Sequence, residues 1–248
     1  QERIVLADAS AFDVDEDAAQ GLVAALNAEF GDVGQFHAAS AGRWYLQLAV
    51  AVDHPAAPIS AVAGRRVDCE LKGGALPLTR WLNEVQMFLH GHRLNERREA
   101  AGQPAINSLW LWGGGALPAS IAPGFSAVFT DNPLAAGLAR AAGIRLHERA
   151  AGLADLPPEA GKRPLVVLDQ LLPSVAHEDS EGWRGSFGQI DAGWFAPLKK
   201  SLGNRVDRIS LIAPTVYGEL RYTLTAGDRW KLWKSGQPIA ETAKELAR

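Results

Sequence analysis

At 248 residues, 47% hydrophobic and 21% charged, the chain has an ordinary globular composition, enough for one large domain or two small ones. A net charge of −3 gives no electrostatic case for nucleic acid, and no apolar run approaches the ~20 residues of a membrane helix. The single Cys69 excludes an internal disulfide and an all-cysteine metal site, and it fits a reducing cytoplasm. The chain starts at Gln1, with no Met and no signal-like apolar run, so the expectation is a piece of a longer protein or a processed product.

In chain order, "RIVLAD" reads as a short strand. "SAFDVDEDAAQGLVAALNAEF" then reads as a helix, with Asp13 or Asp15 as N-cap and acids in its first turn. Leu22, Val23, Leu26 and Phe30 recur at helical spacing, and Gly31 is the stop. "RWYLQLAVAV" predicts a strand with Trp44, Leu46, Leu48 and Val50 on one face, and "VAGRRVDCEL" a further strand or an edge. "DHPAAPISAVAG" is a loop by composition. One long helix is predicted over 79–101, with Trp81, Val85, Phe88 or Leu89 and His92 on one stripe and Gly102 as the stop.

From Asn107 on, strands and helices alternate. "SLWLW" predicts a central buried strand, because Leu109 and Leu111 share one face and Trp110 and Trp112 the other. "FSAVFTD" is a second strand, and "NPLAAGLARAAG" a helix with Asn132 as N-cap, Pro133 in the first turn and Gly143 past the end. "GLADLPPEAGKRP" is a loop and "RPLVVLDQLL" a third strand. "WRGSFGQIDAGWFAPLKKSLG" predicts a helix bent near Gly193 or Pro197, "DRISLIAPT" a fourth strand, and "ELRYTLT" with "WKLWK" a closing hairpin. The alternation implies a parallel sheet covered on both faces, and the division expected is a small α+β domain over 1–78 and an α/β core over 79–248.

Ligands of open α/β sheets bind at the carboxyl ends of the strands. Four exits are therefore expected along one edge: Gly113, Gly114 and Gly115; Asp131 and Asn132; Asp169; and Ala213, Pro214 and Thr215. The triple glycine lets a ligand or a chain segment approach closely, but it is neither a P-loop, since no GK[ST] follows, nor a G-x-G-x-x-G loop. In "HGHRLNERRE", His90 and His92 are two apart and share no helix face, whereas Asn95 and Arg98 do and suit a phosphate or carboxylate. The alternative is a solvated helix end. "HEDSE", 177–181, is either half a metal site or a surface loop with a helix N-cap.

The run "NEVQMFLHGHRLNERREAAGQPAINSLWLWGGG" resembles the RpfE-type regulatory proteins, relatives of the cofactor-independent phosphoglycerate mutases. Gln86, Met87, His90, Asn95, Arg98, Glu99, Asn107, Ser108, Leu109, Trp110, Trp112, Gly113 and Gly115 carry the likeness, with Arg43, Trp44 and Tyr45 and the helix "DAAQGLVAALNAEF". The resemblance implies an alkaline-phosphatase-superfamily fold, a three-layer αβα core with a smaller α+β domain on its N-terminal side. It places Asn95, Arg98, Asn107, Gly113, Gly114, Gly115 and Asp131 near a substrate or anion site. The D-G-x-x-D metal aspartate, the nucleophile, D-E-A-G-H and P-D-H of active mutases have no match here; "PSVAHED" keeps only His177, and Asp169 and His177 are the remaining metal candidates. A two-metal phosphoryl transfer needs its full ligand set. The expectation is thus a non-catalytic, cytoplasmic protein without cofactor, regulatory or binding an unknown small anion or protein partner. The alternative is a mutase-like or phosphohydrolase enzyme with a divalent metal such as Mn or Zn, using a divergent site or residues preceding Gln1.

Overall fold

A computed structural model describes residues 6–7, 12–49, 56–63, 76–116, 118–176, 178–215, 218–230 and 239–246. The fold is mixed α/β, with sheets of two, three and two strands, and no barrel among the described residues. Contacts divide the chain into two compact units, Gln1–Pro118 and Ala119–Arg248. The divide falls after the "SLWLWGGG" stretch rather than at residue 78, which lies inside a helix whose Trp81, Val85 and Leu89 pack into the core of the first unit.

In the first unit, α1 (Glu16–Glu29) starts where Asp15 accepts the Ala18 N–H at 2.7 Å. Of the two aspartates, Asp15 is therefore the cap, and Glu16 and Asp17 complement the positive end of the helix. β1 (Gly34–Ser40) and β2 (Arg43–Leu48) form an antiparallel hairpin, with a register shift between Ala38 and Ser40. β1 escapes a pattern search because "GQFHAAS" carries a single large apolar side chain, Phe36. Asn27 of α1 substitutes for a strand partner beside it. Its amide accepts the Phe36 N–H at 2.7 Å and donates to the Phe36 carbonyl at 3.0 Å.

A short helix, α2 (Ile59–Val62), breaks the expected loop. Of "VAGRRVDCEL", Val62 ends α2 and Ala63 caps it, while residues 64–71 and nearly all of "RIVLAD" lie outside the described residues. The long helix over 79–101 is two helices, α3 (Leu76–His90) and α4 (Arg93–Ala100). The chain leaves the helix at Gly91, a poor helix former, and restarts where the His92 ring accepts the Leu94 N–H at 3.2 Å. α4 ends in a Schellman motif: Gly102, at φ 73°, lets its N–H reach Glu99 and the next N–H, of Gln103, reach Arg98.

The core of this unit joins Leu22, Val23 and Leu26 of α1, Phe36 of β1 and Trp81, Val85 and Leu89 of α3 to Phe30 and Ile106. Full burial of each large side chain contributes about 1.5–3 kcal/mol. Phe30 meets Trp81 edge-on at 5.9 Å, and Trp81 stacks on Phe36 at 6.1 Å.

The second unit carries the parallel sheet. β3 (Ala127–Phe129) lies between β4 (Arg145–His147) and β5 (Pro164–Val166). The crossover from β3 to β4 is α5 (Pro133–Ala141), capped by Asn132 with Pro133 in its first turn, as the sequence predicts. The "GLADLPPEAGKRP" stretch holds two 3-10 turns, Leu153–Asp155 and Pro158–Ala160. After α6 (Leu172–Ala176), α7 (Ser180–Ile190) starts at Asp179, which accepts the Gly182 N–H, so "HEDSE" supplies a helix cap. A π turn, Asp191–Phe195, carries α7 into α8 (Ala196–Ser201) and is the predicted irregularity.

"DRISLIAPT" joins no parallel sheet. It is β6 (Arg208–Thr215), paired antiparallel with β7 (Gly218–Thr225). A tight reversal between two complementary strands favours the hairpin over a crossover. Ile209, Leu211 and Ala213 face Leu224, Tyr222 and Leu220 across the ladder, which makes one face apolar. "WKLWK" lies outside the described residues beyond Trp230, and α9 (Ile239–Leu246) is the last element.

Gly193 in the π turn is pressed against the loop at 151–152, where an added Cβ would sit 2.7 Å from the Ala151 carbonyl oxygen. Gly185 of α7 has nothing within 4 Å of an added Cβ. Gly193→Ala is therefore expected to cost about 1–3 kcal/mol in urea unfolding, while Gly185→Ala gains roughly 0.5–1 kcal/mol.

Candidate functional site

In the first unit, α4 brings two of the expected site residues to its inner face, and both are buried, Asn95 at 1% and Arg98 at 5% exposure. Asn95 Nδ2 donates to the carbonyls of Leu89 at 2.8 Å and Ile106 at 2.9 Å, and its Oδ1 accepts the Ile106 N–H at 2.8 Å. Arg98 Nε donates to the Pro104 carbonyl at 2.9 Å, and one of its Nη atoms to the Asp13 carbonyl at 2.8 Å. Phe12 lies 5.9 Å under the guanidinium. These side chains tie α4 to the end of α3, to the loop after α4 and to the approach to α1. An anion at this place would have to displace bonds already made.

The stretch at 107–112 belongs to no strand among the described residues, so the expected central strand is corrected. Leu109 and Leu111 pack against the core from one side of the stretch. Trp110 Nε1 donates to the Ala57 carbonyl at 3.0 Å, and Trp112 is 44% exposed. Gln86 of α3 donates to Ser108 Oγ at 2.9 Å. Side-chain contacts therefore hold this stretch where a strand is expected. Asn107 and the three glycines are exposed. Gly113 and Gly115 have φ of 67° and 152° and nothing within 4 Å of an added Cβ, so backbone conformation rather than close approach selects glycine there. The joint of α3 and α4 forms an open groove of about 380 Å³ lined by Gly91, His92, Arg93, Leu94 and Arg97.

In the second unit, the carboxyl edge of the parallel sheet gathers the exits of its three strands. Past β3, Thr130 is buried, and its Oγ1 accepts the Asn132 N–H at 2.9 Å. Asn132 Oδ1 caps α5, and its Nδ2 donates to Asp169 Oδ2 at 3.0 Å, which spans the exits of β3 and β5. Asp131 spans the exits of β3 and β4. It accepts Arg149 Nε at 2.9 Å and the Arg149 backbone N–H at 3.1 Å. The side-chain hydrogen bond first, then the backbone one, hold the Asp131 carboxyl below the ordinary aspartate value.

Asp131 and Asp169 thus share one sheet edge, as expected. The "APT" exit belongs to the β6–β7 hairpin, and the glycines follow a stretch of the first unit that is in no described strand. Arg149 was not among the residues singled out by sequence; its only sign is a charged residue just past the three-residue "RLH", too short to read as a strand. As an anion contact, Asp131 would act only through Arg149. His177 lies outside the described residues, and among those described no three His, Cys, Asp or Glu side chains come together to hold a metal ion. No described helix is long and apolar enough to cross a membrane. Comparison with family models, with curated proteins and with solved structures finds no match.

Two outcomes are expected. Asn95→Ala, which leaves the Ile106 N–H and carbonyl without this partner and takes one of two donors from the Leu89 carbonyl, is expected to cost about 3 kcal/mol in urea unfolding, while the neighbouring Glu96→Ala stays within roughly 0.5 kcal/mol. The Asp131–Arg149 pair stabilises only the ionised carboxylate, because the folded-state pKa is the lowered one. Its contribution is present above the ordinary value of about 3.9 and is lost as pH falls through the lower folded value. The difference in urea midpoint between wild type and Asp131→Asn should therefore be full at neutral pH and close towards zero in acid.

Proposed function

We propose that the chain is a non-catalytic protein of the phosphoglycerate-mutase-like, RpfE-type kind. In this reading its parallel sheet belongs to a three-layer alkaline-phosphatase-like core, and it works in the cytoplasm in a regulatory or binding role, without a cofactor. One observation carries the reading. The polar side chains that the resemblance assigns to a substrate region, Asn95 and Arg98, are buried and engaged with backbone carbonyls of their own unit. A substrate contact needs donors that are free to meet a ligand; these act as braces. For a small anion, the exposed Arg93 and Arg97 in the groove at the α3–α4 joint offer the cationic surface.

A second reading is favoured by Asp131 and Asp169 at the carboxyl ends of neighbouring strands, where α/β enzymes place their chemistry. It makes the chain a metal-dependent phosphotransferase or mutase using Mn or Zn and a divergent site. The two are separated by assaying phosphoglycerate interconversion and phosphomonoester hydrolysis with and without added Mn or Zn, together with metal content by mass spectrometry. The first reading expects rates at the level of the blank and no stoichiometric metal. Metal-dependent turnover that is lost in Asp169→Asn would establish the second.

A further inference from the structure

At the joint between α3 and α4 an imidazole stands in the N-cap position of a helix. Leu94 donates its backbone N–H to Nδ1 of His92, so this nitrogen carries a lone pair and the ring proton sits on Nε2. The usual N-cap residues, Ser, Thr, Asp and Asn, accept at any neutral pH; a histidine accepts only while its ring is neutral. The imidazolium has no acceptor, and it would place positive charge at the positive end of α4. The charged groups around the ring add to this. Arg93 and Arg97 line the same groove, and His90 ends α3, from which Phe88 meets the ring at 5.6 Å. Glu96, in the first turn of α4, is the carboxylate on that helix's opening turn. α1, the other helix packed on α4, meets Leu94 through Gly21, with Asp17 one turn earlier.

What the cap secures extends beyond one turn. Asn95 and Arg98 follow it on α4, and they hold the Pro104 and Ile106 backbone and the Asp13 carbonyl. Loss of the cap weakens the first turn of α4, which keeps the Asn95 and Glu96 N–H bonds to the His92 carbonyl, and with it the hold of Asn95 on Ile106.

We propose that His92 is a proton-operated cap: neutral, it closes the first turn of α4 and fixes the loop at 104–106, and protonated, it releases both. The sign follows from the acceptor role. Protection is present at higher pH and is lost as pH falls.

Residue-resolved amide exchange on the full chain, in phosphate-free buffer between about pH 8 and about pH 5, spans the range in which imidazoles titrate. Rates are corrected for intrinsic chemistry. Leu94 and Ile106 amides of the wild type should lose roughly fivefold in protection at the acid end, the size of an N-cap loss. His92→Asn, which caps at both ends of the range and keeps every other histidine, should lose none. Nitrogen shifts of the His92 ring at high pH should show Nδ1 unprotonated. An equal acid loss in wild type and His92→Asn, a wild-type Ile106 amide indifferent to pH, or an Nδ1-protonated neutral ring would each overturn the proposal.

Discussion

Three hydrogen bonds of one carboxamide organise the first unit. Asn95 joins the last turn of α3, through Leu89, to Ile106 on the far side of the α4 loop. An amide suits the position because it presents a donor and an acceptor side by side, as a peptide group does, and Ile106 has both complements. Without it, the buried Ile106 N–H and carbonyl lose this partner, the Leu89 carbonyl keeps only the His92 N–H, and the hold on Ile106 in a core that includes Leu89 and Trp81 is weakened. The placement of Leu109 and Leu111, and of the Trp110 bond to Ala57, follows from where Ile106 is held. Asn27 repeats the device with Phe36. In both cases a helix side chain takes the place of a neighbouring strand.

The second unit uses the same economy at its sheet edge. Asn132 is helix cap and strand-exit bridge at once, and Asp131 fastens the turn after β3 to the turn after β4. The short strands there, three residues each, leave few ladder bonds, so these side chains carry much of the alignment of the exits. The edge is therefore shaped before any ligand arrives. Its carboxylates are placed where chemistry is found in α/β enzymes, and each is already engaged by a protein donor.

The parts of the fold legible in the sequence are those governed by local rules. Asp15 before α1, Asn132 and Pro133 at α5, the acidic cap of α7 and the irregularity at Gly193 all follow from capping and backbone preferences within a few residues. The parallel sheet was legible through "AVF" and "PLV", whose exits supply Asp131 and Asp169. What escaped depends on partners distant in sequence. "SLWLW" has the alternation of a strand, but whether a strand forms depends on a neighbouring chain segment aligned to pair with it, which alternation does not report. "ISLI" is as apolar as a buried strand, yet its register is set by "ELRYTLT". The periodicity over 79–101 runs unbroken through Gly91 because apolar spacing does not register a change of axis. Arg98 looks like a surface cation by type; only its bonds to Pro104 and Asp13 reveal it as internal.

The two ties that α4 makes differ in their span along the chain, and this orders them in time. The Asn95–Ile106 pairing closes a separation of 11 residues, whereas the Arg98–Asp13 bond closes one of 85. The larger loop costs about 2 kcal/mol more in closure entropy. The turn around Asn95 can therefore form early, from nearby residues alone. The guanidinium bond to the Asp13 carbonyl needs the approach to α1 and α4 brought together across the longer span.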